Sequence, residues 1–182
     1  MKEYFKCSDL PEFDNQQAAN AVHYIKRNAN GRQLFFMYVA FMKVHNPNFP
    51  SADWKGKSEQ GNFSGSMMEL DANVGKVVQA VGDAGIERNT IVVFSSDNGP
   101  RVDAWPDAGY GPFRGAEGTP FENGWRVPGL MWAPGRIPAG TVLHGMMTLF
   151  GANEMSAKGR LHCEMSASEP KRVLMILEVR SR

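Results

Sequence analysis

Thr90-Ile-Val-Val-Phe-Ser-Ser-Asp-Asn-Gly-Pro100 joins an apolar run to polar residues and a chain turn. The run at residues 90–94 is β-branched and aromatic in series, which is typical of a strand covered on both faces inside a parallel or mixed sheet. Ligands of such sheets collect just beyond the carboxyl ends of the strands, where residues 95–98 stand. The stretch therefore predicts a metal-dependent hydrolase site at Asp97 and Asn98, although Asp-Asn-Gly-Pro is equally typical of a plain turn.

Two elements before this strand complete an α/β pattern. Residues 34–41 form a second apolar run, which predicts a buried strand. Between the runs, apolar side chains recur every three or four residues, and Gly85 is placed to end the resulting helix; these side chains are Met67, Leu70, Val74, Val77 and Val81. Strand, helix and strand in this order predict a right-handed parallel crossover. An earlier helix is expected at about residues 15–28, with Asp14 as its N-cap.

The crossover predicts which side chains meet at one edge of the sheet. Lys43 and His45 follow the first strand, and Asp97 and Asn98 follow the second. Parallel strands have their carboxyl ends at the same edge, so His45 is expected near Asp97. If the backbone stays extended there, Lys43 and His45 point the same way. The alternative for His45 is a loop histidine whose hydrogen bonds are made with the backbone.

Composition limits the classes of protein to consider. The chain has 182 residues, 42% of them hydrophobic, and a formal charge of +1 with scattered basic residues. One domain is the default at this length, and nothing favours a nucleic acid or membrane partner. The longest apolar run, residues 34–42, is about half of the ~20 residues that a membrane-spanning helix needs, and residues 1–6 open no signal peptide, so a cytoplasmic location is expected. Cys7 and Cys163 are expected to be free thiols.

The remaining segments are less regular. Residues 49–65 predict a loop, and the Gly- and Pro-rich residues 100–120 predict an irregular segment of the kind that lines sites. Residues 129–133 predict a short strand. The composition changes near residue 144, so we expect one α/β domain at residues 1–143 and a tail at 144–182. In that tail, residues 146–158 have weak helical spacing, and residues 173–179 fit a strand or a helix equally well.

Several segments, taken in order, resemble the type I sulfatases, the arylsulfatase branch of the alkaline-phosphatase-like hydrolases. The matching pieces are Phe35-Phe-Met-Tyr38, His45-Asn-Pro47, Met68-Glu-Leu-Asp71, Thr90 to Pro100, Gly111-Pro-Phe-Arg-Gly115, Arg126-Val-Pro128 and Trp132-Ala-Pro-Gly-Arg-Ile-Pro138. Their order and spacing agree over about residues 14–143. The resemblance implies an incomplete sulfatase-type α/β domain, with a mixed, mainly parallel sheet flanked by helices.

The resemblance also implies roles for single residues. Asp97 and Asn98 resemble a pair that ligates the catalytic calcium, for which hard oxygen donors are suited. His45 resembles the histidine that contacts the sulfate ester near its leaving-group oxygen, where an imidazole can hydrogen-bond or transfer a proton. Glu117 stands where the family usually has a lysine that contacts the sulfate. Such a charge reversal disfavours binding of an anion, and Lys43 is the candidate to compensate for it.

Other family features are missing from the sequence. Neither Cys7 nor Cys163 lies in the Cys-x-Pro-x-Arg motif whose cysteine becomes the formylglycine nucleophile, so no formylglycine is expected. Asp97 and Asn98 supply two ligands where calcium takes six to eight, so calcium binding is expected to be weak or absent. The tail does not resemble the family's, and a metal role for His162 is not favoured.

Three functions remain open at this point. The first is an arylsulfatase-like hydrolase fragment that acts on small sulfuric or related esters and is impaired by the missing nucleophile. The second is a hydrolase of phosphate or carboxylate esters that uses a metal-activated water near Asp97, Asn98 and His45. The third is a non-catalytic truncated scaffold that forms homo-oligomers through an exposed sheet edge.

Overall fold

A computed structural model describes residues 9–31, 33–103, 105–145 and the backbone of 173–179. It has a four-stranded sheet with two long helices on one face. The elements in chain order are α1 (Leu10–Asn28), β1 (Phe36–Phe41), α2 (Gly61–Asp83), β2 (Thr90–Ser96), α3 (Glu122–Trp125), β3 (Gly129–Trp132) and β4 (Val173–Val179). The predicted mixed, mainly parallel α/β architecture is confirmed.

The sheet order is β1-β4-β2-β3. β4 pairs in parallel with β1, Phe36 opposite Leu174, and with β2, Thr90 opposite Val173. β3 pairs antiparallel with β2, Val93 opposite Met131. The alternatives left open for residues 173–179 are thus resolved as a strand, and the tail predicted to begin at residue 144 contributes it to the middle of the sheet.

The core lies between the sheet and the two helices. Its buried side chains come from β1, β2, α1 and α2; they include Ala18, Ala21, Ile25, Met37, Val39, Phe41, Leu70, Val77, Val81 and Val92. The 3.6-residue spacing of the helical members puts them on one face of each helix. A smaller cluster of Ile91, Val93 and Ala133 lies apart from this core.

Helix α2 begins earlier than the sequence suggests, because Gly61, and not a residue after 65, is its first residue. Its end is as expected. Gly85 has φ +67°, its N–H donates to the carbonyl of Gly82, and the N–H of Ile86 donates to the carbonyl of Val81. These two bonds form a Schellman motif, in which a glycine takes the left-handed conformation most easily.

Helix α1 corrects the role predicted for Asp14. The helix begins at Leu10, with Pro11 in its first turn, and Asp14 is a buried residue one turn inside it. The Asp14 carboxylate accepts backbone N–H bonds from Met42 and Lys43, 2.8 Å each, so it does not cap its own helix.

Some predictions fall outside the described residues: the helical spacing at 146–158, the thiol state of Cys7 and Cys163, and the role of His162. Within the described ranges, no helix combines the length and apolar character needed to cross a membrane.

Candidate functional site

A cavity of about 460 Å³ lies at the edge of the sheet where β1 and β2 end. It is bounded by the loop after β1, the loop after β2, the first turns of α2 and the irregular segment between β2 and β3. His45, Asn98 and Glu117, three residues singled out from the sequence, line it. The two strand ends thus meet at one cavity through His45 and Asn98, whereas the sequence paired His45 with Asp97.

Asp97 lies at the rim of this region. It is exposed and does not line the cavity, whereas Asn98, the next residue, is half-buried and does. Ser96 also lines the cavity, and its hydroxyl donates to the carbonyl of Asn98 over 3.2 Å. At the end of β2, Ser96 and Asn98 therefore line the cavity, whereas Asp97 between them is exposed to solvent.

Lys43 does not join His45 in the cavity. The expected extended backbone is wrong, because residues 43 and 44 form a turn in which the N–H of His45 donates to the carbonyl of Met42 over 2.9 Å. The Lys43 side chain is buried, with Nζ 3.1 Å from Glu69 Oε1 and 2.8 Å from the carbonyl oxygen of Pro11. Its ammonium is engaged with α1 and α2, so the structure does not support it as a substitute for the family lysine.

Gly99 fixes the loop after β2 against α3. Its N–H donates to the carbonyl of Gly124 over 3.0 Å, and a Cβ at this position would overlap the carbonyl oxygen of Asn123. Asn123 is itself buried, and its side chain donates to the carbonyl of Gly115 over 2.8 Å. A glycine is needed here for close approach of two backbones, which the turn propensity of Asn-Gly does not reveal.

Glu117 is held beside the end of that loop by a bond from its N–H to the carbonyl of Pro100, 3.0 Å long. The Glu117 charge acts on Arg101, another cavity residue, which is paired with Asp103 outside the cavity. Arg101 donates two hydrogen bonds to the Asp103 carboxylate, at 2.6 and 3.0 Å. These bonds, then the charges of Asp103 and Glu117, raise the pKa of the Arg101 guanidinium above its ordinary value. The same pairing lowers the pKa of Asp103 below its ordinary 3.8.

Much of the cavity wall comes from residues to which the sequence pattern assigns no role. Arg126 lies over the Phe113 ring, 4.3 Å from its centroid, and pairs with Glu122 at 2.6 Å. Apolar side chains form the opposite wall: Phe63, Met67, Leu70 and Phe94. Arg126-Val-Pro128 was visible as a motif without a role, and Phe63 was hidden because its segment reads as loop.

Asp107 connects the irregular segment to α2. Its carboxylate accepts the N–H of Phe63, in the first turn of α2, over 2.5 Å, and its carbonyl accepts a bond from the Asn48 side chain, 3.4 Å long. The N–H groups at a helix N-terminus lack partners within the helix and attract negative charge. Asp107 therefore caps α2 from a distant part of the chain and holds the loop beside the cavity.

The oxygen donors present do not complete a calcium site. Asp97 and Asn98 can offer two ligands, whereas calcium takes six to eight. Among the residues that the structure describes, no three His, Cys, Asp or Glu side chains are grouped so that they could hold a metal ion. The described residues thus fit at most one wall of such a site.

Comparisons with known proteins agree on one family. The profile of the Sulfatase family matches residues 2–155. N-acetylgalactosamine-6-sulfatase of Canis lupus familiaris is 39% identical over 135 residues, which cover 71% of this chain and 26% of that protein. Arylsulfatase A of Homo sapiens is 40% identical over 107 residues, covering 58% and 21%.

A solved structure is similar as well. The PsFucS1 sulfatase from Pseudoalteromonas sp. superposes with a TM-score of 0.77 at 32% identity, covering 91% of this chain and 33% of that one. The structure of Ps i-CgsB in complex with k-i-k-neocarrahexaose gives a TM-score of 0.59 at 30% identity, covering 70% and 29%. The chain thus spans about a fifth to a third of the length of these relatives.

Proposed function

Because this chain belongs to the sulfatase family, we propose that it forms one part of the substrate site of a sulfate ester hydrolase. The single observation that supports this most is the cavity where β1 and β2 end, which His45 and Asn98 both line. In the proposed site, the His45 imidazole lies near the leaving-group oxygen, where it hydrogen-bonds or transfers a proton. Asn98 and the adjacent Asp97 supply oxygen donors on the metal side.

The proposed ligand is a small-molecule sulfate ester. Relatives of this chain are named for sugar sulfates and aryl sulfates. The cavity combines apolar residues with Arg101 and Arg126, which also pair with Asp103 and Glu122. An apolar wall suits the body of such an ester, and cationic groups suit its charged end. Nucleic acid and membrane partners are not part of the proposal.

Two groups of the reaction are not provided for by this sequence. Sulfatases are generally metal-dependent, and a calcium ion would stabilise charge on the sulfuryl oxygens, yet Asp97 and Asn98 are too few to hold it. The sequence also has no Cys-x-Pro-x-Arg motif to supply the nucleophile. We therefore propose that the chain binds sulfate esters and turns them over poorly or not at all.

Binding and turnover of an aryl sulfate test the proposal. We expect chemical-shift changes at His45 when 4-nitrophenyl sulfate is added, with no release of nitrophenol in the presence of calcium. The changes at cavity residues should be lost in His45→Ala and kept in His144→Ala, because His144 is exposed and does not line the cavity. Binding that is indifferent to His45→Ala would contradict the site, and rapid turnover would contradict the impaired activity.

A second candidate is hydrolysis of phosphate or carboxylate esters by a metal-activated water. A metal-bound hydroxide would attack the ester in place of a protein nucleophile, and Asp97, Asn98 and His45 are the residues that would lie near the metal. A panel of chromogenic phosphate and carboxylate esters, assayed with and without a chelator, separates it from the first. Activity that survives both chelation and His45→Ala would exclude this candidate.

A third candidate is a non-catalytic scaffold that self-associates. β1 is the outermost strand at one side of the described sheet, and its Phe36 and Tyr38 are 52% and 37% exposed. An edge strand with exposed apolar side chains is a surface on which another copy can pair.

A further inference from the structure

We propose that the buried cluster Asp14, Lys43 and Glu69 is the positioning device for His45, fixing both ends of the loop at residues 42–51 to α1 and α2. None of the three side chains lines the cavity. They act through the backbone of the loop, so they are positioning residues and not catalytic ones. The inference rests on the proposed function only in taking His45 as the group that must be held.

The first end of the loop is held by Asp14. Its two carboxylate oxygens accept the N–H groups of Met42 and Lys43, each at 2.8 Å. The carbonyl of Met42 then accepts the N–H of His45 at 2.9 Å. The peptide units before His45 are thus held on one side by α1 and on the other by the turn itself, which leaves the His45 backbone little freedom.

The other end of the loop is held by Glu69 of α2. One of its oxygens accepts the N–H of Ser51 at 2.8 Å, and the other lies 3.1 Å from Lys43 Nζ. Lys43 also donates to the carbonyl of Pro11 in α1 at 2.8 Å. One lysine therefore links both helices to the loop, and one carboxylate contacts both of the loop's ends.

Burial makes this arrangement specific. Asp14, Lys43 and Glu69 are 1%, 6% and 0% exposed. A buried charge that loses its partner is costly, so each member of the cluster depends on the geometry of the others. His45, Asn46 and Asn48 of the cavity all lie inside the loop that the cluster closes, and their side chains are the parts of the site that would move if it opened.

The NMR signals of the His45 imidazole report on this positioning in the full chain. We expect Asp14→Asn to shift and broaden the His45 ring signals, because an amide offers one acceptor oxygen where two N–H groups need one each. The His23 signals should stay unchanged. Asp71→Asn is the matched control, since Asp71 is an exposed aspartate on α2. His45→Gln assigns the resonance.

A second control distinguishes positioning of His45 from a general effect on the stability of the fold. Val77→Ala truncates a fully buried side chain about two helical turns beyond Glu69 on α2, so it should lower the melting temperature without altering the cluster's hydrogen bonds. We expect it to leave the His45 signals in place. Equal changes in Val77→Ala and Asp14→Asn, or an unchanged His45 signal in folded Asp14→Asn, would overturn the proposal, whether or not the protein binds a sulfate ester.

If Asp14→Asn does not fold, amide hydrogen exchange in the unaltered protein tests whether the loop ends are held. The N–H groups of Met42, Lys43 and Ser51 should exchange as slowly as those of β1 and β2, although they belong to a loop. Exchange as fast as that of the exposed Glu59 would show that the loop ends are not held, and would overturn the proposal.

Discussion

Glu117 places a negative charge beside the position proposed for an anionic ester. Two unit charges about 4 Å apart interact by about 1 to 4 kcal/mol, depending on screening. We expect Glu117→Lys to tighten binding of 4-nitrophenyl sulfate several-fold to several-hundred-fold in titrations at low salt. Glu59→Lys changes the net charge equally at an exposed position outside the cavity and should have little effect. Equal affinities for both variants would argue against an anion site at Glu117.

Asp14 links the stability of the fold to pH. Burial raises the pKa of its carboxyl above the ordinary 3.8, and the charge of Glu69 adds to this; the bonds from Met42 and Lys43 and the charge of Lys43 oppose it. The folded protein therefore holds this proton more tightly than the unfolded chain does. The contribution of Asp14 to the free energy of unfolding is greatest below pH 3.8 and is lost as the pH rises through the raised pKa.

Urea unfolding between pH 3.8 and the raised pKa of Asp14 tests whether the stabilising contribution of Asp14 falls as the pH rises. The difference in free energy of unfolding between the unaltered protein and Asp14→Asn should fall as the pH rises, by at most about 1.4 kcal/mol per pH unit for one proton. A difference that grows with pH over the same interval would mean that the folded protein lowers the pKa of Asp14.

Asp14 and Lys43 also show what a sequence cannot reveal about single residues. An aspartate just before a helical pattern resembles an N-cap, and only the packing of residue 42 against α1 turns it into an acceptor for another segment. Lys43 and His45 are two apart, which suggests one direction in a strand. The real direction of Lys43 depends on Glu69 in α2, a partner that no local pattern identifies.

At the scale of elements, a glycine inside α2 and a glycine just after it have opposite roles. Gly85 adopts φ +67° after the last turn, whereas Gly75 lies inside the helix, and a Cβ there would meet nothing within 4 Å. We expect Gly85→Ala to lower the free energy of unfolding by about 1–2 kcal/mol, and Gly75→Ala to raise it by about 0.5–1 kcal/mol. Thermal unfolding measures both. A stabilising Gly85→Ala would contradict the Schellman end of α2.

Continuous apolar runs predicted β1 and β2, and a helical period predicted α2. Neither signal decided β4, since residues 173–179 form an apolar run in a tail with few other signals. The strand character of that run comes from its position between β1 and β2, where hydrogen-bond donors and acceptors are presented on both sides. Strand pairing depends on the neighbouring strands, so the local propensity of these residues does not predict it.

At the scale of the whole molecule, the outer side of β1 is the surface that bears on assembly. We expect the mass measured by light scattering to rise with protein concentration, since Phe36 and Tyr38 are exposed on an edge strand. Phe36→Lys should reduce this association. Val142→Lys, at an exposed apolar position outside the sheet, is the control. A monomer at all concentrations would count against the scaffold candidate.

The place of β4 in the sheet has a consequence for synthesis of the protein. β1 and β2 are not direct neighbours, because β4 lies between them, and a ribosome makes β4 long after it has made β2. At 5–20 residues per second, the delay from residue 96 to residue 173 is roughly 4–15 seconds. During that time, β1 and β2 lack β4, the strand with which both of them pair. Completion of the sheet therefore waits for translation of its central strand, and a chaperone has that interval in which to act.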